Sequence, residues 1–262
     1  MVAWLNELPP NGFAVLCSDD PGVCAILPKL RCRYFTYGFN ESADYRLIAC
    51  QQIGLRTSLC WESPDGIRHE DQIHLPGRHN ALNGLAAWIA TTHFVEGGNP
   101  DLTPSWASYP GVNRRMMLHG ELALDEGSAL LIEDYGHHPT EMKATFNAIQ
   151  AAWPEKRLVV LFQPHRYTRT RDLLSDFVEV LRLVPNLYLL PIYAAGEQAI
   201  QGVSSEHLAK IIEEQSNQLP IVYTDLNQAR NALQSMLREN DILLLQGAGD
   251  VGSLVQRLGV LE

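Results

Sequence analysis

No Cys-x-x-Cys pair occurs in the 262 residues, and the five cysteines, Cys17, Cys24, Cys32, Cys50 and Cys60, are confined to the first quarter. An odd count in that arrangement excludes a zinc knuckle and a disulfide framework, and it fits a reducing cytoplasm. No apolar run approaches the ~20 residues of a membrane span. No basic start leads into an apolar core as in a secretory signal. Basic runs are missing too: 20 Lys and Arg stand against 30 Asp and Glu, for a net charge of -10 and a pI near 5.3. A surface built for nucleic acid or for an anionic membrane is therefore not expected. Neither internal repeats nor low-complexity segments are visible. What is present is a globular composition, 46% hydrophobic, long enough for one large domain or two modest ones.

The chain is organised around Ala129 to Lys143. Ala129 to Ile132 fit a strand buried on both faces, and Glu133, Asp134, Tyr135, Gly136, His137 and His138 follow before a helix that Pro139 can begin. Ligands of open α/β sheets bind beyond the carboxyl ends of strands, so titratable groups gathered there read as a site. A polar turn with Asp134 or His138 near a cap is the plainer alternative. The next strand, Leu158 to Leu161, runs into Phe162-Gln-Pro-His-Arg-Tyr-Thr-Arg-Thr-Arg171 on the same edge. Pro164 is expected to delay the helix, and Arg166, Arg169 and Arg171 suit a carboxylate or phosphate unless they are a solvated helix start. A third strand ends in Pro191-Ile-Tyr-Ala-Ala-Gly-Glu197, a loop offering Tyr193 and Glu197. Arg114 and Arg115 read as a surface pair or as a phosphate clamp. Gly247-Ala-Gly-Asp-Val-Gly252 satisfies the dinucleotide fingerprint, but no second strand with an acidic residue roughly 20 positions on can follow it. It is read as a tight strand-to-helix turn.

The remaining pattern predicts a strand at Phe13–Cys17, a short helix capped by Asp20 and begun by Pro21, a strand at Arg33–Tyr37, and a hairpin within Ala43–Leu75 turning at Ser63–Gly66. A helix is expected over His79–His93, burying Leu82, Leu85, Ala86 and Ile89. Asn80 suits its cap, and Asn83 one turn on is harder to explain structurally. Gly97–Pro100 ends that element, Pro104–Val112 reads as a short helix and linker, and the domain boundary is placed near Pro110. Beyond it, strands at 129–133, 158–162, 187–190, 220–223 and 241–245 alternate with helices at 139–152, 171–184, 204–215, 225–238 and 250–258. That is a doubly wound, Rossmann-like α/β domain.

Taken together, Gly77-Arg-His-Asn-Ala-Leu-Asn83, Asp134-Tyr-Gly-His-His-Pro-Thr-Glu141, Phe162 to Arg171, Tyr193-Ala-Ala-Gly-Glu197 and Gln246-Gly-Ala-Gly249 resemble the Mur ligase family. The second and third strings are those of its member that joins L-alanine to UDP-N-acetylmuramate. The resemblance implies that 1–109 is the C-terminal part of the central ATP-binding domain, a partial sheet, and that 110–262 is the complete C-terminal, amino-acid-binding domain. It implies a cytoplasmic ligase of peptidoglycan biosynthesis that uses ATP and Mg²⁺ and passes through an acyl phosphate. His79, Asn80, Asn83, Arg115 and Asp134 would contact ATP, with Asp134 on the ribose. Tyr135, His165, Arg166, Arg169 and Tyr193 would face the muramoyl carboxylate and alanine, with His137, Arg166 and Arg169 catalytic. No residue of this chain is assigned as a metal ligand. The family's Gly-x-x-Gly-Lys-Thr phosphate loop is absent from the 262 residues, which implies a fragment, inactive alone. A fragment cut there should expose the Phe13–Leu16 edge and the Leu82, Leu85 and Ile89 stripe, so a homodimer through 1–109 is expected. The alternative is a non-catalytic remnant that binds nucleotide or a protein.

Overall fold

The computed structural model describes residues 1–94, 106, 108–109, 111–216, 218–258 and 260–261. They form two compact units, Met1–Pro110 and Gly111–Glu262. The expectations for Gly97–Pro100 and, within Pro104–Val112, for residues 104, 105, 107 and 110 lie outside the described residues.

In the first unit a one-turn helix, α1 (Val2–Leu5), precedes β1 (Ala14–Cys17), α2 (Pro21–Ile26), β2 (Tyr34–Gly38), β3 (Tyr45–Ile53), β4 (Arg56–Glu62), β5 (Arg68–Ile73) and α3 (Arg78–Phe94). Asp20 caps α2 as its sequence indicates, accepting from the Val23 amide at 2.9 Å. The sheet runs in chain order, with β1, β2 and β3 parallel and β3, β4 and β5 antiparallel. The Ser63–Gly66 turn is present, but the segment is a three-strand meander that continues the sheet, because Gly54, at φ 59°, makes an earlier turn. On α3 the core stripe is Ala81, Leu85, Trp88 and Ile89, with Leu82 and Ala86 only at its margin. The bulk of Trp88 against Trp61, ring centroids 4.5 Å apart, rotates the helix toward that side.

The second unit comprises β6 (Met117–Ala123), β7 (Ser128–Asp134), α4 (Pro139–Ala152), β8 (Leu158–Phe162), α5 (Tyr167–Asp172), α6 (Leu174–Leu181), β9 (Asn186–Leu189), α7 (Ser205–Gln215), β10 (Ile221–Val222), α8 (Leu226–Met236), β11 (Ile242–Gln246), a 3₁₀ helix (Asp250–Arg257) and β12 (Val260–Leu261). Its sheet order is β10-β9-β8-β11-β7-β6-β12, parallel from β10 to β7 and antiparallel at β6 and β12. Helices α4, α6 and α7 pack on one face through Met142, Ile149, Phe177, Leu208 and Ile212. Helix α8 and the 3₁₀ helix cover the other through Ala229, Leu233, Val251 and Leu254. This is the doubly wound arrangement. The chain leaves β7 and β8 toward the first face and β11, between them, toward the second, so a switch-point crevice opens at their carboxyl ends.

Three details depart from expectation. The helix read as 171–184 begins at Tyr167 and breaks at Leu173, so Pro164 delays it by only three positions. The helix read as 250–258 is 3₁₀. Strands β6 and β12 had no counterpart in the reading; only Leu122 of β6 is buried, so its apolar alternation is faint.

Candidate active site

The carboxyl ends of β7, β8 and β9 bring Tyr135, His137, His165, Arg166, Arg169 and Tyr193 together. Their rings form a column: Tyr135 meets His137 edge-on at 5.4 Å, His137 lies 5.6 Å from His165, and His165 stacks on Tyr193 at 5.5 Å. An isolated parallel bridge joins His165 to Tyr193, with the Tyr193 amide donating to the Pro164 carbonyl and the Arg166 amide to the Tyr193 carbonyl, both at 2.8 Å. The loops after β8 and β9 are thereby tied into one surface.

Partners define the imidazole tautomers. His137 Nδ1 faces the Tyr135 carbonyl at 3.1 Å, an acceptor only, so Nδ1 carries a proton and, in the neutral ring, the lone pair falls on Nε2. His165 Nδ1 instead accepts from Arg169 Nη1 at 3.1 Å. Burial, and then the charges of His137, Arg169 and Arg166, push the His165 pKa down against an opposing effect of Glu197. His165 is thus kept neutral beside two guanidinium groups. Arg166 is half-exposed and its nearest carboxylate, Glu197, stands 3.7 Å away, so its donors face solvent.

The neighbouring polar residues fasten this surface. His138 is the N-cap of α4, with Glu141 reaching back to its amide at 3.2 Å and to that of His137 at 3.0 Å. Burial raises the Glu141 pKa, but the His137 amide, Arg115 and the His138 amide together hold it below the ordinary range. Asp134 is buried; its Oδ1 accepts from the Gly136 amide and from Gln246 Nε2, each at 2.8 Å, and its Oδ2 from the Met116 amide at 2.9 Å. These internal donors engage both of its oxygens. A Cβ on Gly136 would stand 2.5 Å from Asp134 Oδ1, so the turn is closed around that carboxylate.

Arg114 is only partly exposed. Its Nε donates to buried Glu133 at 2.5 Å, and its Nη2 to the carbonyls of Gly247 and Gly249 at 3.3 Å. The glycine-rich turn after β11 therefore directs carbonyls at a guanidinium, and Gln163 and Tyr193 fill the space where a Cβ of Gly249 would stand. The segment turns the chain from β11 into the 3₁₀ helix, in keeping with its reading as a strand-to-helix turn. Arg115 lies 3.4 Å from Glu141 and 5.6 Å over the Tyr135 ring, exposed.

In the first unit, Asn80 donates from Nδ2 to the Pro76 carbonyl at 2.7 Å, inside the first turn of α3 rather than as its cap. Asn83, one turn on, is exposed. His79 lies in the same turn as Asn80. Among the described residues, no group of three or more His, Cys, Asp or Glu side chains is placed to hold a metal. No described helix is long and apolar enough to cross a membrane. A groove of about 370 Å³ lies at the opposite, amino-terminal edge of the second sheet, lined by Phe146, Trp153 and Val184. Its arginine, Arg157, is paired with buried Asp241, and Lys143 and Lys156 also line it.

Residues 114–249 match the Mur ligase glutamate ligase domain, and residues 3–91 match the Mur ligase middle domain. The chain belongs to the Mur ligase family. A UDP-N-acetylmuramate–L-alanine ligase of Coxiella burnetii is 43% identical over 258 residues, covering 98% of this chain and 55% of that protein. The chain thus spans about half the length of the curated relatives it matches. Among solved structures, the UDP-N-acetylmuramate–alanine ligase of Thermotoga maritima superposes with a TM-score of 0.68 at 22% identity, over 85% of this chain and 46% of that one. The murein peptide ligase of Psychrobacter arcticus gives 0.67 at 16% identity, over 97% and 52%. At such identities the likeness is one of fold. Within this Mur ligase fold, sequence reasoning missed His119, Thr168 and the Gln246 side chain. Gln246 was the most findable, a polar residue ending a fully apolar strand, as Asp134 ends β7.

Proposed function

We propose that the chain is part of an ATP-dependent ligase that joins L-alanine to UDP-N-acetylmuramate through an acyl phosphate, with the second unit carrying the acceptor side. The observation that carries this reading is the convergence of Arg166 and Arg169 with His137 on one sheet edge, the guanidinium of Arg166 open to an anion. Cations there stabilise the muramoyl carboxylate, the acyl phosphate and the oxyanion of the tetrahedral intermediate without any proton transfer. His137 Nε2, its lone pair set by the Tyr135 carbonyl, takes the proton from the attacking amine of alanine. Neutral His165 and the Tyr193 ring form the wall against which the amino acid packs. Asn80 and Asn83, with His79, are the adenine contacts of the first unit, and exposed Arg115 is a nucleotide contact offered by the second. Asp134 acts as a fastener of the switch point rather than on the ribose. Mg²⁺ neutralises the phosphates in such chemistry, and no described residue is assigned to it. The setting is cytoplasmic peptidoglycan synthesis.

Equilibrium dialysis of the chain with UDP-N-acetylmuramate tests the assignment. Binding is expected for the wild type and lost in Arg166→Ala. Binding that is unchanged in the variant would overturn the placement of the acceptor site, and binding of nucleotide alone would favour a non-catalytic role.

A further inference from the structure

Arg166 holds a backbone conformation that L-residues seldom adopt, φ 74° and ψ 136°, at the residue preceding α5, and its side chain gives that helix no cap. Neighbours fix the conformation. Its amide donates to Tyr193, and its carbonyl accepts from the Thr170 amide at 3.1 Å and the Thr170 hydroxyl at 2.8 Å. The cap that Arg166 does not supply comes from the loop after β9. Glu197 Oε2 accepts from the Thr168 amide at 3.0 Å, and its Oε1 from the Thr168 hydroxyl at 2.6 Å. Glu197 is itself placed by a tight turn in which Ala195 and Gly196 have φ of 50° and 84° and its amide donates to the Ala194 carbonyl at 3.0 Å. With both oxygens turned to Thr168, the carboxylate reaches Arg166 Nη1 only at 3.7 Å, beyond hydrogen-bond range. It holds the peptide that carries Arg166 and leaves the guanidinium donors open.

We propose that Glu197 is a positioning residue for Arg166, acting through Thr168 to lock the left-handed turn so that the guanidinium meets an incoming carboxylate or phosphate already aimed. The role rests on reading Arg166 as the anion-binding group. A competing account makes Glu197 only a counter-ion of Arg166, and the two accounts differ in sign. Removing a counter-ion strengthens anion binding. Removing a strut weakens it, even though the loss of negative charge favours the anion.

The test uses the full chain as wild type, Glu197→Gln, Thr168→Val and the double variant, with inorganic phosphate as the probe followed by NMR. Each single variant should bind phosphate about tenfold more weakly, the worth of one charge-assisted hydrogen bond. The double variant should be no weaker than the weaker single one, because both cut the same link. In Glu197→Gln the Thr168 amide should exchange faster and the HN–Hα coupling of Arg166 should move away from its left-handed value. Tighter phosphate binding in Glu197→Gln, or an unchanged Arg166 coupling and Thr168 exchange, would overturn the proposal. If the wild type shows no phosphate shift that Arg166→Ala removes, the anion-site reading fails by itself, and the coupling and exchange data still decide whether Glu197 sets the turn.

Discussion

Replacing Asp134 with Asn separates a fastening carboxylate from a ligand-binding one. Both oxygens face donors: the Gly136 amide and Gln246 Nε2 at Oδ1, the Met116 amide at Oδ2. An asparagine must turn its NH₂ toward one side, and the lesser conflict points it at Met116. That loses one charge-assisted bond and sets two donors against each other inside a site where Asp134 is 4% exposed. Losing such a bond and leaving a buried donor unsatisfied costs roughly 2–4 kcal/mol. For a unit of this size the equivalent fall in melting temperature is about 2–4 °C per kcal/mol, so roughly 5–15 °C. Calorimetry of the full chain, with exposed Asp125→Asn as a control for net charge, gives the answer. A shift no larger than that of the control would refute the fastening role and reopen the ribose for Asp134.

Further outcomes follow from the same geometry. Because the His165 pKa is pushed below its ordinary value of 6.5, the unfolded chain takes up that proton first as pH falls. Stability should therefore decline from about pH 6.5 down to the depressed folded value, and His165→Gln should flatten that decline in urea titrations. The 262-residue polypeptide, whose sequence contains no Gly-Lys-Thr loop, should release no phosphate from ATP with UDP-N-acetylmuramate and L-alanine; release above a buffer control, abolished by Arg166→Ala, would contradict this. Among the described residues β1 pairs only with β2, and an open edge of this kind favours pairing with a second copy. Sedimentation should show a dimer that a 110–262 polypeptide does not form, and a monomeric full chain would exclude it.

The second unit was legible because its strands are uninterrupted apolar runs between strong punctuation. Pro139 starts α4 and Asp225 caps α8, accepting from the Asn227 and Gln228 amides at 2.7 and 2.9 Å. Strand β6 escaped notice for the opposite reason: it lies outside the parallel strands, and a bulge between Leu118 and Gly120 breaks its alternation and accompanies the 3.0 Å contact of His119 with Glu133. At the site, residue type and sheet edge singled out His137, Arg166, Arg169 and Tyr193, and the family resemblance added His165. Their division of labour was not legible. That Asp134 fastens, that Arg114 clamps the glycine turn and that Glu197 caps a helix 29 residues away all depend on contacts between strand ends that are distant in sequence.

The most direct measurement is an NMR titration of the chain with L-alanine in the presence of UDP-N-acetylmuramate, following the ring nuclei of His137 and His165. Saturable shifts of both rings, absent with D-alanine and lost in Arg166→Ala, are the predicted result. Equal shifts with D-alanine, or shifts that survive the loss of Arg166, would contradict the acceptor site described above.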